Sequence, residues 1–201
     1  MVGNKFIHNS NNTASNFYNY CYFSDFYPRD ALIMANNEMY MPNKSNITNG
    51  YFEFYYCDNM HFINNSFLSH NASTYVNIGY GSGKTIIKNN NMVNLAGAST
   101  LLDVQGRSIT ESDYNNMYST GTSLSAWQSA TGQDLHSVSI SPFYLNSSIN
   151  LNLLDDGGLE CPRDTLVLVD IENTSRNSLT SMGAYQVIAV NNNLTPRAFV
   201  S

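Results

Sequence analysis

A short pattern recurs along the chain: an apolar residue, a spacer, two asparagines, a spacer and a second apolar residue. It is complete at residues 34–39, 62–67 and 87–92, and weaker versions stand at 6–9 and 113–118. The second position of each pair falls at 9, 37, 65, 90 and 116, giving steps of 28, 28, 25 and 26 residues. Because asparagine is abundant in this chain, the flanking apolar residues and the even spacing carry the argument. A period in the twenties is typical of stacked coils.

A second column of apolar and polar positions supports the same spacing. Residues 52–54, 76–78 and 102–104 each read apolar, polar, apolar, and their centres are 24 and 26 residues apart. Such alternation indicates half-buried strands. Together the two columns predict an all-β fold, a right-handed parallel β-helix (a solenoid) of about five coils, in which each coil buries its inner face against its neighbours.

This register predicts which side chains stack. We expect Phe54, Ile78 and Val104 to point inward in one column, and Phe62 and Ile87 in another. Asparagine tolerates the left-handed backbone region and so suits a sharp bend between strands. We therefore expect one stack of asparagines at such a bend, formed by Asn37, Asn65, Asn90 and Asn116, with Asn9 in the first coil.

The pattern stops after residue 118, and the remainder has a different character. Ser123 as an N-cap, Leu124 and Trp127 three residues apart, and Gly132 as a stop predict a short helix. The sequence thus divides into β-helix coils at 1–118 and a C-terminal capping region of the same domain at 119–201. We expect Trp127 and Tyr185 to be buried against the last coil, near Val104 and Tyr118.

Composition excludes several classes of protein. The net charge of −6 over 201 residues, with only 12% charged residues, argues against a nucleic-acid partner. No apolar run approaches the roughly 20 residues needed to span a bilayer. Residues 1–9 lack the features of a signal peptide, which favours Met1 as an internal start in a truncated gene. The sequence does not indicate an oligomeric state.

Cysteine, glycine and histidine give no strong motif. Cys21, Cys57 and Cys161 are too scattered for a disulfide framework, so small core side chains are favoured over a disulfide between coils. Residues 79–84 contain glycines and a lysine, but no helix follows that could hold a phosphate, and a turn is favoured. The four histidines show no metal-ligand spacing.

Several C-terminal motifs resemble one known family. The run 112–118, the segments 126–128 and 131–134, Asp170-Ile171, Arg176 and 183–185 resemble bacterial right-handed parallel β-helix repeat proteins. These are pectin-lyase-like surface proteins of Bacteroidetes-type genomes. The resemblance implies a secreted or cell-surface location and binding of, or action on, acidic polysaccharides. The chain departs from the family's usual capping motif at Thr174, at 181–182 and at Gln186.

The second column also contains the candidate functional residues. Glu53, Asn77 and Asp103 share one outward position on successive coils, which places the two carboxylates roughly 10 Å apart at about 4.8 Å per coil. That separation lies at the outer limit for inverting glycosidases. Catalytic candidates are Glu53 and Asp103, with Lys84 and Arg107 following the same strands. A solvated polar face is the alternative interpretation.

Exposed aromatic residues are the candidates for sugar stacking, because they offer an apolar face with a polar tip. Asn77, Tyr55 and Tyr75 are the predicted substrate-binding residues, and Tyr40 is a further stacking candidate. No metal site is predicted. Calcium enters only through the resemblance, which implies carboxylate-bound calcium with a lysine or arginine base if the protein is a lyase.

Two functions remain from the sequence. The first is a non-catalytic secreted or cell-surface module that binds a polysaccharide or cell-surface glycan, or serves as a structural stalk. It rests on the lack of a complete catalytic set. The second is a polysaccharide lyase or glycoside hydrolase acting on an acidic polysaccharide, and it rests on the resemblance and on the polar column.

Overall fold

The structure is a computed structural model that describes residues 2–7, 17–24, 31–41, 47–105, 107–145 and 150–187. It shows a parallel β-solenoid with one short helix, as the sequence predicts. The strands, in chain order, are β1 (Lys5–Ile7), β2 (Phe17–Ser24), β3 (Leu32–Ala35), β4 (Glu38–Met41), β5 (Ile47–Tyr55), β6 (Met60–Ile63), β7 (Ser66–Ser69), β8 (Thr74–Gly79), β9 (Thr85–Lys88), β10 (Asn91–Asn94), β11 (Leu102–Asp103), β12 (Glu111–Asp113), β13 (Asn116–Ser119), β14 (Glu160–Pro162) and β15 (Leu179–Ser181).

Strands from successive turns form three parallel sheets. The first sheet has the order β12-β9-β6-β3, the second β1-β4-β7-β10-β13, and the third β11-β8-β5-β2. Three turns contribute a strand to every sheet, so the complete turns number three within the described residues, instead of about five. The turns at either end are partial. Val2 makes only an isolated bridge to Ala35, and beyond β13 the stack continues only as an isolated parallel bridge between Asn116 and Val138.

The asparagine pairs form the bend between the first and second sheets. The first residue of each pair takes a positive φ, at 52° for Asn36 and Asn64 and 58° for Asn89. An asparagine side chain makes this left-handed conformation less costly than most residues do. Tyr114 occupies the same place in the last turn, with φ of 54°.

The second residue of each pair forms the predicted ladder. Side-chain Nδ2 groups donate to the Oδ1 of the next turn, from Asn37 to Asn65 at 2.8 Å, Asn65 to Asn90 at 3.1 Å, and Asn90 to Asn115 at 2.9 Å. The prediction of Asn116 as the last member is wrong by one residue, because Tyr114 takes the bend position and shifts the ladder to Asn115.

Asn116 and Asn4 lie next to this ladder at its two ends. Asn116 belongs to a parallel column and donates to Asn91 Oδ1 at 2.9 Å. Asn4 donates to Asn37 Oδ1 at 3.1 Å and so provides the first-turn partner. Asn9, the predicted first member, lies outside the described residues. The ladder therefore runs through every described turn. Its last member, Asn115, lies one residue before the predicted Asn116, and its first-turn member, Asn4, lies five residues before Asn9.

Apolar side chains from all three sheets fill the interior. Phe54 pairs in register with Ile78, and Phe62 with Ile87, and all four are at most 1% exposed. Both predicted columns are confirmed at these positions. Val104 lies just beyond β11 and is partly buried against the same core cluster.

The helix α1 (Leu124–Thr131) follows the last turn, as predicted. Ser123 caps its start by accepting from the Ala126 amide, and Gly132 ends it with φ of 67°. Both signals act for the physical reasons that made them recognisable: a hydroxyl satisfies a free amide, and glycine enters the left-handed region without strain. Leu124 and Trp127 are partly buried against the core cluster.

Residues 150–187, here called the flank segment, return along the side of the stack. Asn89 donates to Pro162 O at 2.9 Å, and Asn36, two turns earlier, donates to Val169 O at 2.6 Å. Tyr185 is buried, as expected, in a cluster that includes Tyr118. Its hydroxyl, however, donates to Glu38 on an early turn, so the flank segment spans the stack lengthwise.

The flank segment covers the outward faces of the first two sheets. Tyr40, Leu68 and Val93 from successive turns of the second sheet pack against Ala184 and Tyr185. Ala35 and Ile63 of the first sheet pack against Val167 in the same way. This cover explains why the second-sheet strands are buried on both faces. Among the described residues of the third sheet, Glu53 and Tyr55 remain partly exposed.

Candidate functional site

The outward face of the third sheet contains the predicted polar column. Alternation along β5 turns Phe52 and Phe54 into the core and leaves Glu53 between them facing out. The register pairs Glu53 with Asn77, and Asn77 with Asp103, on three successive turns. The structure therefore brings these three residues together as the sequence indicates.

The two carboxylates of this column lie in different surroundings. Asn77 Nδ2 donates to Glu53 Oε1 at 2.9 Å, and burial raises the pKa of the Glu53 carboxyl, although that hydrogen bond opposes the rise. Asp103 Oδ2 accepts from Gln105 Nε2 at 2.7 Å on the exposed side. Asn77 Oδ1 is buried and has no hydrogen-bond partner among the described residues.

A cluster of three tyrosines stands beside the column. The ring of Tyr55 lies 5.1 Å from the rings of Tyr56 and Tyr80, measured between centroids, and both contacts are edge-on. Tyr56 and Tyr80 lie 6.0 Å apart, and their side chains are 45% and 43% exposed. Large aromatic rings at this exposure form an apolar platform open to solvent.

A glycine positions this platform. A Cβ atom on Gly79 would lie 2.7 Å from the Tyr55 ring, so only glycine lets that ring lie over β8. Tyr75 stands on the same strand, two residues before Asn77, and is partly exposed. Tyr55, Tyr75 and Asn77 thus share one face, and their role in binding a substrate stays a prediction.

Lys84 and Arg107 have separate environments. Lys84 is exposed on the loop before β9, where its backbone amide donates to Asn59 Oδ1 at 3.1 Å. Arg107 donates to Cys57 O at 2.6 Å and to Thr85 Oγ1 at 3.0 Å, and burial lowers its guanidinium pKa. Within the described residues neither cation forms an ion pair with Glu53 or Asp103.

The sequence reasoning missed Tyr56 and Tyr80. They are 24 residues apart, which is the step that relates Phe52 to Val76 and Glu53 to Asn77. Extending the register by two positions past the apolar residues of β5 and β8 was enough to find them. Tyr40, in contrast, is only 9% exposed beneath the flank segment, so its proposed role in sugar stacking is wrong.

One pair of titratable groups was also missed. His136 Nδ1 lies 2.6 Å from Asp113 Oδ2, and the His136 amide donates to Asp113 Oδ1 at 2.8 Å. The imidazole stacks on Tyr114 with 4.9 Å between ring centroids. The two residues are 23 positions apart on consecutive turns, a step too irregular to stand out in the sequence.

Two thiols and two further histidines of the described residues are buried or half-buried. Cys57 and Cys161 are buried, and burial raises the pKa of Cys161 to about 12. Burial lowers the pKa of His61 and His70. His8 lies outside the described residues.

Three further features bear on function: groups that could hold a metal ion, helices that could span a membrane, and similarity to known proteins. The part of the chain that the structure describes has no group of three or more acidic, histidine or cysteine side chains placed to hold a metal ion. No helix in that part is long and apolar enough to cross a membrane. The sequence matches no protein-family profile and no curated protein, and no solved structure matches it either.

Proposed function

We propose that this protein is a non-catalytic secreted or cell-surface β-helix module that binds a glycan on the outward face of the third sheet. The supporting observation is the exposed platform of Tyr55, Tyr56 and Tyr80 beside the hydrogen-bonded Glu53–Asn77 pair. Sugars offer an apolar ring face and a rim of hydroxyls. A tyrosine platform next to a carboxylate and an amide complements both.

The charge of this face favours an uncharged glycan. Glu53 and Asp103 are the ionisable groups of the column, and the whole chain has a net charge of −6. Like charges disfavour an acidic polysaccharide at such a face. Membership in the pectin-lyase-like bacterial surface proteins is part of the proposal, and it rests on the C-terminal motifs together with the solenoid fold.

Binding to polysaccharides of matched chain length tests the proposal. Xylan, mannan and β-glucan serve as neutral ligands, and pectate and alginate as acidic ones, each titrated by calorimetry. A double variant, Tyr56→Ala with Tyr80→Ala, should lose at least tenfold in affinity for the neutral ligand that binds, since it removes about 1.4 kcal/mol or more of contact energy. Phe143→Ala removes an aromatic side chain that is 67% exposed elsewhere and should leave the affinity unchanged.

Lack of binding to every polysaccharide would leave a structural stalk as the function. Equal affinity of the tyrosine variant and the Phe143→Ala control would move the site away from the third sheet. A pH series adds a further check. Because burial raises the pKa of Glu53, its carboxylate becomes protonated at a higher pH than an ordinary glutamate does. Affinity should change as this carboxylate is protonated, and Glu53→Gln should remove the change.

Catalysis is the second candidate function, favoured by the raised pKa of Glu53 beside a second carboxylate at Asp103. A raised pKa suits a carboxyl to act as a general acid, and a second carboxylate two turns away can activate a water molecule. Both reactions release reducing ends, and release without new ultraviolet absorbance indicates a hydrolase. New ultraviolet absorbance, tested with and without calcium, indicates a lyase. Loss of either activity in both Glu53→Gln and Asp103→Ala would establish this function in place of simple binding.

A further inference from the structure

A cleft lies between helix α1 and the last turn of the solenoid. The interior core continues to Leu101, Leu102 and Met117 at this end of the stack, and Trp127 packs against it from the helix. The space between them has a volume of about 400 Å³. Pockets that bind small molecules commonly measure about 300–1,000 Å³.

The walls of the cleft are fixed by hydrogen bonds and close packing. Ala98 O accepts from Ser119 Oγ and from Thr122 Oγ1, both at 2.7 Å. A Cβ atom on Gly121 would lie 2.2 Å from Gly97 O, so the two loops at the mouth meet directly. The cleft is therefore formed before any ligand arrives, which lowers the entropy cost of binding.

The helix side of the cleft is fixed as well. Trp127 Nε1 donates to Asp134 Oδ2 at 2.7 Å, so the polar atom of the indole is already satisfied. Ser123 caps the helix on which the indole stands. What the indole offers to the cleft is an apolar ring surface held in one orientation.

Among the described residues, the lining of the cleft has no charged side chain. Apolar groups form the floor and the helix wall, and the hydroxyl-bearing residues that complete the lining are Ser99, Thr100, Thr122 and Ser123. An uncharged ligand avoids the desolvation cost that a charged one would meet in such a place. Hydroxyls at the edge can bond one polar group of a ligand whose remaining surface is apolar.

We propose that this cleft binds a small uncharged ring compound with a single hydroxyl or carbonyl group. The ring packs on Trp127, Met117 and the two leucines, and its polar group faces the hydroxyl side chains. The site is separate from the third-sheet face and does not depend on glycan binding there.

Tryptophan fluorescence tests this site directly, because Trp127 is the single tryptophan of the chain. Cyclohexanol is the probe, since it neither absorbs nor emits where tryptophan does. Titration of the full chain should shift the emission with saturation. Cyclohexanecarboxylate, of similar shape but charged at neutral pH, should bind at least tenfold more weakly.

Two variants close the cleft. Ala126→Leu fills it from the helix side, and Ser99→Phe blocks it at an exposed position. Each should raise the Kd for cyclohexanol at least tenfold. Ala130→Leu makes the same change one helical turn further on, outside the lining, and should leave the Kd unchanged. A linear, unsaturable response, or the same Kd in Ser99→Phe as in the unaltered chain, would overturn the proposal.

Discussion

At the scale of single residues, the amide of asparagine performs two tasks in this protein. The first asparagine of each pair makes a left-handed bend, and the second bonds to its neighbours above and below. Asn90 shows how fully one side chain is used. Its Oδ1 accepts from the amide and the Nδ2 of Asn65, and its Nδ2 donates to Phe62 O and Asn115 Oδ1. A buried polar column of this kind is stable only when every member is satisfied.

Replacement of Asn90 by alanine should therefore be costly. It leaves the backbone amide and one Nδ2 hydrogen of Asn65 buried without an acceptor, which we expect to lower the free energy of unfolding by roughly 3 kcal/mol. Urea denaturation measures the loss. Asn177→Ala, at an exposed position, is the matched control and should change stability by at most about 0.5 kcal/mol. Similar values for the two variants would show that the ladder is not a main source of stability.

Most members of the asparagine ladder could be predicted from the sequence, and the reason why the last member was wrong is physical. The flanking apolar residues set the register at Asn37, Asn65 and Asn90. At 113–118 the first apolar position is missing, so nothing in the pattern showed that Tyr114, instead of an asparagine, makes the bend. The polar column on the third sheet was predictable because period-2 alternation fixes which face a side chain takes. Tyr40 was misplaced because alternation identifies the outer face of a strand and gives no information about a later segment that covers it.

At the scale of elements, one buried arginine links the flank segment to the stack. Arg176 is 1% exposed and donates to Asn36 Oδ1 and to Gly183 O, both at 2.8 Å. Further bonds reach Thr180 and Ser181. Burial lowers its pKa to about 10, because the charged form is partly deprived of water, although Asp170 opposes the shift. One side chain thus links three residues of the flank segment, Thr180, Ser181 and Gly183, to the bend at Asn36.

Loss of this arginine should loosen the flank segment before it affects the coils. In Arg176→Met we expect faster cleavage within 150–187 by a nonspecific protease and faster hydrogen exchange at the Gly183 amide, which bonds to Asn89 O at 2.7 Å. Arg163→Met removes an exposed arginine with a single described hydrogen bond and serves as the control. Equal cleavage and exchange rates in the two variants would mean that the segment is held by its apolar contacts alone.

At the scale of the whole molecule, the sheets differ in how far the flank segment covers them. The first and second sheets are covered by the flank segment, while the third sheet leaves Glu53 and the tyrosine platform open. No local pattern in residues 150–187 predicted this, since the contacts that place the segment join residues more than 70 positions apart. The sequence indicated a change of character after residue 118 but not which surface the remainder would cover.

Deletion of residues 150–201 should convert the protein into a self-associating one. It uncovers Tyr40, Leu68 and Val93 as a continuous apolar strip, and such strips promote association. Size-exclusion chromatography with light scattering compares the truncated and full chains. The same truncation carrying threonine at all three positions keeps strand-forming residues and should associate much less. Truncated protein that remains as dispersed as the full chain would contradict this account of the flank segment.

Simple solenoids change length readily, because each turn contacts only its neighbours and a duplicated turn fits anywhere in the stack. That freedom is restricted here. Gly183 meets Asn89 while Tyr185, two residues later, meets Glu38 on an earlier turn. An inserted turn would part these two attachment points by about 4.8 Å, more than the spacing of one residue along an extended chain. A relative that gains or loses a coil must therefore also change residues 150–187. We expect length changes in the coils and in the flank segment to occur together.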